Sequence, residues 1–152
     1  MNGLDSLYQE LILDHSKHPV GNPLHDPADA AHADSHQKNP VCGDEVTLRV
    51  AVDGDRITDV SWEGAGCSIS QASASMLASL VEEQLEGDGM TRADAMRLIE
   101  GFREALRSRG TIPLDEETFG DAAALSGVSK FSARVKCAML AWVALEDGLG
   151  RA

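Results

Sequence analysis

The apolar residues at the start of the chain recur every three or four positions, which is the period of an amphipathic α-helix. They are Leu4, Leu7, Tyr8, Leu11 and Ile12. The spacing predicts a helix from about Leu4 to His18, and two prolines follow it. The next segment, residues 21–40, is rich in His, Asp, Ala and Pro and has no such period. We predict that it is a solvated loop, because its histidines lack the paired spacing of metal ligands.

From residue 46 the helical period is replaced by an alternation of apolar with shorter or polar residues. The alternating residues are Val46, Leu48, Val50 and Val52 in one predicted strand, and Thr58, Val60 and Trp62 in a second. The sequence Asp-Gly-Asp at residues 53–55 predicts a hairpin turn between the two strands. A third strand is expected near residues 66–69.

Helical spacing returns in three later segments and predicts three further helices. The periodic residues are Ala72, Met76, Leu80 and Leu85 in the first, Ala95, Ile99, Phe102 and Leu106 in the second, and Ala133, Cys137, Leu140, Ala144 and Leu145 in the third. Thr91 and Asp94 form a predicted capping box at the start of the second of these helices. Residues 110–121 are expected to be a loop. The last helix should run from Ser129 to about Asp147, and Gly148 should end it.

These elements predict an α+β protein in which a small antiparallel sheet of about three strands is packed against several helices. The chain has 152 residues, a length at which one domain buries roughly two thirds of its unfolded surface. We therefore expect residues 1–152 to form a single domain.

The charge of the chain argues against nucleic acid as a partner. It has 13 Lys plus Arg against 25 Asp plus Glu, a net charge of −12, and phosphate backbones repel such a protein. No apolar run approaches the roughly 18 residues of a membrane span. The amino terminus, MNGLDSLYQE, lacks the basic and then apolar pattern of a secretory signal. We expect a cytoplasmic protein without membrane contact.

Three cysteines carry the candidate chemistry: Cys42 before the first strand, Cys67 after the hairpin and Cys137 in the last helix. Without an export signal, such cysteines are more often free, metal-bound or catalytic than paired in disulfides. Cys42 and Asp44 are two residues apart in an extended segment, so both side chains can face one ion. Three thiolates and one carboxylate would supply the four ligands of a tetrahedral Zn²⁺. Buried structural cysteines are the alternative, since cysteine is among the most often buried residues.

The glycines around Cys67, in Gly64-Ala65-Gly66, are interpreted as turn residues only. The chain contains no Ser/His/Asp order of a hydrolase, no phosphate-binding loop and no dinucleotide fingerprint. The cysteine and aspartate residues therefore remain the strongest candidates for a functional site.

Five longer stretches occur in order from about Leu4 to Leu149: LYQELILDHSKHP, NPVCGDEV, EGAGCSISQASASML, GVSKF and RVKCAMLAW. Together they resemble the SufU branch of the IscU-like iron–sulfur cluster assembly proteins. The resemblance implies a SufE/NifU-like (IscU-like) fold and a zinc-dependent sulfurtransferase. It further implies that Cys42, Asp44, Cys67 and Cys137 hold one Zn²⁺ and that Cys42 is the catalytic residue that accepts sulfur.

The resemblance also implies partners. Proteins of this branch accept persulfide sulfur from a PLP-dependent cysteine desulfurase of the SufS type, which replaces the Cys42 ligand with a histidine of its own. They pass the sulfur toward the SufBCD assembly machinery.

The alternative function is that of an IscU-type scaffold, on which an iron–sulfur cluster is assembled. Scaffold proteins of the family usually carry histidine where this chain has Lys136, and an LPPVK motif where it has KFSARVK. The extra segment at residues 101–120 also resembles the SufU branch. These differences favour sulfur transfer.

Overall fold

The computed structural model describes residues 3–40 and 43–152. Five α-helices and four strands follow one another within these ranges. In chain order they are α1 (Gly3–Lys17), β1 (Ala31–Lys38), β2 (Glu45–Asp53), β3 (Arg56–Ala65), α2 (Ser68–Leu85), β4 (Met90–Thr91), α3 (Arg92–Arg107), α4 (Glu116–Phe119) and α5 (Ser132–Leu149). A 3₁₀ segment, Gly120–Lys130, connects α4 to α5.

The four strands form one antiparallel sheet in the order β1-β2-β3-β4. The predicted α+β class and the β2–β3 hairpin are confirmed, with Leu48 opposite Trp62 and Val50 opposite Val60. The prediction of about three strands is corrected to four. The strand expected near residues 66–69 is wrong, because α2 begins at Ser68, and the additional pairing comes from β1 and the two-residue β4.

Strand β1 lies inside the segment 21–40 that the sequence predicted to be a loop. Its buried positions are Ala33 and Ser35, which are too small or too polar to produce an apolar alternation. Its other positions carry mostly exposed His, Asp and Lys side chains, as is common on an edge strand. Strand β1 nevertheless pairs with β2 along its whole length, from Ala31 opposite Val52 to Lys38 opposite Glu45.

The helices predicted from apolar spacing are confirmed, with shifted boundaries. In the predicted capping box, Asp94 N donates to Thr91 Oγ1 (3.0 Å) and Thr91 N donates to Asp94 Oδ2 (3.2 Å). Helix α5 begins at Ser132 because the 3₁₀ segment occupies the residues before it. It continues through Gly148, and Ala133 is exposed rather than on its inner face.

Helix α2 is buried along most of its length and contacts α1, β3 and α5. Its serine Ser73 donates from Oγ to Ala138 O in α5 (2.6 Å) and accepts from Trp142 Nε1 (2.9 Å). The Trp142 ring stacks on Phe102 of α3, with ring centroids 3.9 Å apart. One serine thus links α2 to α5 and, through the stacked rings, to α3.

A second buried serine, Ser75, holds α2 to the amino-terminal part of the chain. Its Oγ accepts from Val20 N (2.8 Å) and lies 2.7 Å from His15 Nδ1. His15 Nε2 in turn lies 2.9 Å from Asp121 Oδ2 in the 3₁₀ segment. Both serines satisfy buried polar groups of neighbouring elements, which explains why a serine-rich helix can lie in the core. No helix within the described ranges is long and apolar enough to span a bilayer.

We predict that Ser73→Ala lowers the free energy of unfolding by about 1–3 kcal/mol, because it leaves the buried Trp142 N–H and the Ala138 carbonyl without this partner. Urea denaturation monitored by circular dichroism measures the change. Ser79→Ala, at a half-buried position of the same helix, is the matched control and should change the free energy by no more than about 0.5 kcal/mol. Equal effects of the two substitutions would contradict the linking role of Ser73.

Candidate metal centre

Asp44 lies directly before β2, and its side chain is buried (3% exposed). Two backbone hydrogen bonds join Asn39 to the residues around Asp44. Asn39 N donates to Asp44 O, and Gly43 N donates to Asn39 O (both 2.8 Å). Gly43 has a φ of 77°, a conformation that glycine adopts far more readily than other residues. Cys42, the predicted sulfur acceptor and zinc ligand, lies outside the described residues.

Cys67 is the residue that precedes helix α2, and its carbonyl accepts from Gln71 N (3.2 Å). Its backbone N donates to Asp44 Oδ1 (3.1 Å), and its Sγ lies 3.4 Å from Asp44 Oδ2. The backbone therefore orients one carboxylate oxygen while the other faces the thiol. Cys67 is exposed, so the group is open to solvent on this side.

Cys137 lies in the second turn of α5 and is buried (6% exposed), with its Sγ 3.7 Å from Ala133 O. Ligand atoms of Asp44, Cys67 and Cys137 all lie within 4.8 Å of one another. In residues 3–40 and 43–152, this is the one group of three candidate ligands that could hold a metal ion. The fold thus brings together three of the four residues that the sequence indicated as ligands.

The spacing of Cys67 and Asp44 is compatible with two ligands of one zinc ion. Zinc–sulfur bonds of about 2.3 Å and zinc–oxygen bonds of about 2.0–2.2 Å separate neighbouring ligand atoms of a tetrahedron by roughly 3.5 Å. The distance of 3.4 Å between Cys67 Sγ and Asp44 Oδ2 agrees with this value. A cation would also offset the electrostatic penalty of the buried Asp44 carboxylate.

The sequence interpretation missed two residues that shape this centre. A Cβ atom on Gly66 would lie 2.6 Å from Asp44 Oδ1 and 2.6 Å from Ser70 Oγ, so only glycine leaves room for the carboxylate. Ser70 donates from Oγ to Cys67 O (3.0 Å), and Ser70 Oγ also lies 3.9 Å from Cys67 Sγ. Gly66 therefore makes room for a candidate ligand in addition to forming a turn. Its position directly before Cys67 was the signal in the sequence that could have indicated this role.

Two cations, Arg134 and Lys136, lie close to Cys137 in sequence. Arg134 places its guanidinium carbon 5.2 Å from the centroid of the Phe131 ring, and both residues are exposed. Lys136 is exposed as well. The neighbours of the two described sulfurs include the Asp44 carboxylate, the Ser70 hydroxyl and the Ala133 carbonyl.

An α+β fold that gathers a carboxylate and two thiols from three separate elements defines a candidate metal-binding protein. The family model described as the NifU-like N-terminal domain matches residues 7–138. The chain therefore belongs to this family, which comprises iron–sulfur cluster assembly proteins of the IscU and SufU type.

Two relatives match nearly the whole chain. The zinc-dependent sulfurtransferase SufU of Bacillus subtilis (strain 168) is 40% identical over 148 residues, which is 97% of this chain and 92% of that protein. The iron–sulfur cluster assembly scaffold protein IscU of Streptococcus pyogenes serotype M1 is 36% identical over 99% of this chain and 87% of that protein.

Solved structures show the same fold. One, described as an iron–sulfur cluster assembly scaffold protein for the SUF system from Fervidobacterium islandicum AW-1, has a TM-score of 0.75 and 35% identity. The alignment covers 97% of this chain and 99% of that chain. A NifU-like N-terminal protein from Brucella abortus, at 22% identity and a TM-score of 0.71, shares the fold.

We predict that Gly66→Ala lowers the unfolding free energy of the metal-free protein by about 1–3 kcal/mol, because the added methyl group displaces the Asp44 carboxylate or the Ser70 hydroxyl. Denaturation in the presence of a chelator measures this packing effect without a contribution from metal. The control is Gly87→Ala, whose Cβ would meet its nearest neighbour, Gln84 O, at 3.8 Å. If the two variants are equally stable, the close approach at Gly66 is not a constraint of the fold.

Proposed function

We propose that this protein is a zinc-dependent sulfurtransferase that accepts persulfide sulfur from a SufS-type cysteine desulfurase and delivers it to the SUF assembly machinery, the SufBCD complex. The observation that carries the proposal is the convergence of the Asp44 carboxylate with the sulfurs of Cys67 and Cys137. The identity of 40% with a protein named as a zinc-dependent sulfurtransferase supports it.

Cys42, Asp44, Cys67 and Cys137 are the proposed zinc ligands. Cys42 precedes Asp44 by two residues, a separation that an extended chain spans in at most about 7 Å. Zinc bound by these residues would hold their sulfurs as thiolates without adding redox chemistry of its own. The hydrogen bond from Cys67 N orients the Asp44 carboxylate.

Cys42 is the proposed sulfur acceptor. Its thiolate would attack the outer sulfur of the donor's persulfide, forming a new S–S bond while the donor's S–S bond breaks and the donor cysteine leaves as a thiolate. The transfer is neutral in oxidation state, so no further oxidant or reductant is required. Gly43 and Cys67 are both exposed beside the group, which leaves this side open to a partner, whereas Cys137 is buried.

An IscU-type scaffold is the second candidate function. Relatives named as IscU scaffold proteins, from Streptococcus pyogenes and Thermotoga maritima, are 36% and 34% identical to this chain. Lys136 weighs against this function, because it stands where the resemblance places a histidine in scaffold proteins, and a lysine ammonium has no lone pair for a metal. The two functions differ in cargo: a scaffold accumulates iron and sulfide, whereas a sulfurtransferase carries persulfide sulfur.

The proposal predicts that one added sulfur appears on the peptide containing Cys42 after incubation of the protein with a cysteine desulfurase and cysteine. Mass spectrometry of the digested protein maps the position. Cys42→Ser should abolish the transfer, because the hydroxyl of serine does not form a persulfide. Cys137→Ser is the matched control: it removes a proposed ligand and should weaken zinc binding, but it retains the acceptor.

Added sulfur found mainly on the peptide of Cys67 or Cys137 would contradict the assignment of Cys42. Sulfide bound together with iron, in place of a protein persulfide, would favour the scaffold instead.

A further inference from the structure

Four cations of this acidic chain gather near one another, and in the described residues they have no ion-pair partner. They are Arg107 at the end of α3, Arg109 in the turn that follows, Lys130 at the end of the 3₁₀ segment and Lys136 in α5. None of them forms an ion pair with a residue in the described part of the chain. In a protein of net charge −12, they form a local region of uncompensated positive charge.

Three of these cations, Arg107, Arg109 and Lys136, line a cleft of about 410 Å³ between α3 and α5. Apolar side chains, among them Leu106 and Met139, line the same cleft. We refer to it as the cationic cleft. Apolar and cationic side chains side by side suit a ligand that carries both apolar and negatively charged groups.

Arg109 lies in a left-handed turn after α3. Arg109 has a φ of 56°, in the left-handed region that glycine usually occupies after a helix and that other residues adopt less readily. Gly110, directly after it, has a φ of 88°, so the turn could have been built with glycine at both positions. Replacing Arg109 by glycine therefore removes the cation at a backbone position that glycine adopts readily.

Lys130 lies beside the turn, and Arg103 lines the cationic cleft. The Lys130 side chain lies against the same turn, since a Cβ atom on Gly110 would be 3.1 Å from Lys130 Cε. Arg103 is neutralised by Glu146 (2.8 Å) and by Glu100. The cations of the cleft that lack an ion-pair partner in the described residues are therefore Arg107, Arg109 and Lys136.

We propose that the cationic cleft docks an acidic segment of the protein that delivers sulfur to the metal centre. Charge complementarity supports this occupant, because acidic side chains would pair with the free cations while an apolar side chain enters the cleft. Lys136 directly precedes Cys137, so a partner bound here contacts the helix that carries one proposed zinc ligand. The inference rests on the proposed sulfur-transfer function and identifies the surface by which the donor is recognised.

The decisive variant is Arg109→Gly, which removes the cation and places glycine at a left-handed position. Binding of a SufS-type cysteine desulfurase to the variant is measured by titration calorimetry at low and at high ionic strength. We expect about five- to tenfold weaker binding at low ionic strength, and a smaller difference at high ionic strength because salt screens the interaction. The thermal midpoint should be unchanged or higher. Arg107→Glu should weaken binding at least as much.

Two control variants separate the cleft from general effects. Lys17→Ala removes one exposed cation of α1, and Ala28→Gly places glycine at a second left-handed position of the described residues, at φ 52°. Both should bind the desulfurase as the wild-type protein does.

Wild-type binding by Arg109→Gly and Arg107→Glu would overturn the cationic cleft as a docking surface while leaving the proposed function intact. The cleft is likewise excluded as the docking surface if Lys17→Ala weakens binding equally, or if Arg109→Gly lowers the thermal midpoint without affecting binding. If the wild-type protein neither binds the desulfurase nor takes up sulfur, the proposed function is wrong and the docking proposal fails with it.

Discussion

The buried carboxylate of Asp44 is the constraint on which the arrangement of the metal centre depends. A carboxylate that is 3% exposed requires hydrogen bonds or an opposite charge, because burying it uncompensated costs several kcal/mol. Cys67 N supplies a hydrogen bond at 3.1 Å, and the proposed zinc ion would supply the charge. Since Asp44 precedes β2, Cys67 precedes α2 and Cys137 lies in α5, this requirement couples three elements far apart in sequence.

Close packing of the sheet and helices makes this coupling possible. Ser73 and Trp142 join α2 to α5 in the core, so the helix that follows Cys67 is held against the helix that contains Cys137. At the sheet, Gly64 would place a Cβ atom 2.3 Å from Glu45 O, so glycine allows β3 to approach β2 closely. Gly66 then leaves the space that the Asp44 carboxylate fills.

The parts of the fold that were predictable from the sequence are those in which burial depends on large apolar side chains. In the β2–β3 hairpin and in the helices, large apolar residues recur with the period of a strand or of a helix. Helix α3 also has a capping box at its start. Strand β1 was missed because its buried residues, Ala33 and Ser35, are small. It becomes a strand by pairing with β2, a contact between segments that are separate in the sequence. A short chain segment contains no local signal for pairing of this kind.

For the candidate centre, residue types and family resemblance indicated the ligands, whereas the supporting contacts came only from the structure. Asp44, Cys67 and Cys137 lie close together, but the space at Gly66 and the hydrogen bond of Ser70 depend on atoms brought together by folding. The role of Cys42 remains a prediction. The unpaired cations near Arg109 were equally hidden, because a sequence does not show which charges find partners.

X-ray absorption spectroscopy of the purified protein at the zinc edge tests the central claim most directly, because it counts the ligands of the bound metal by element and distance. The account predicts one zinc per chain, with three sulfur ligands at about 2.3 Å and one oxygen ligand at about 2.0–2.2 Å. In Asp44→Ala the short oxygen contribution from the carboxylate should be lost or replaced by that of water, while the sulfur contribution persists. A shell without sulfur, a shell of four sulfurs, or iron with bridging sulfide in place of zinc would contradict the account.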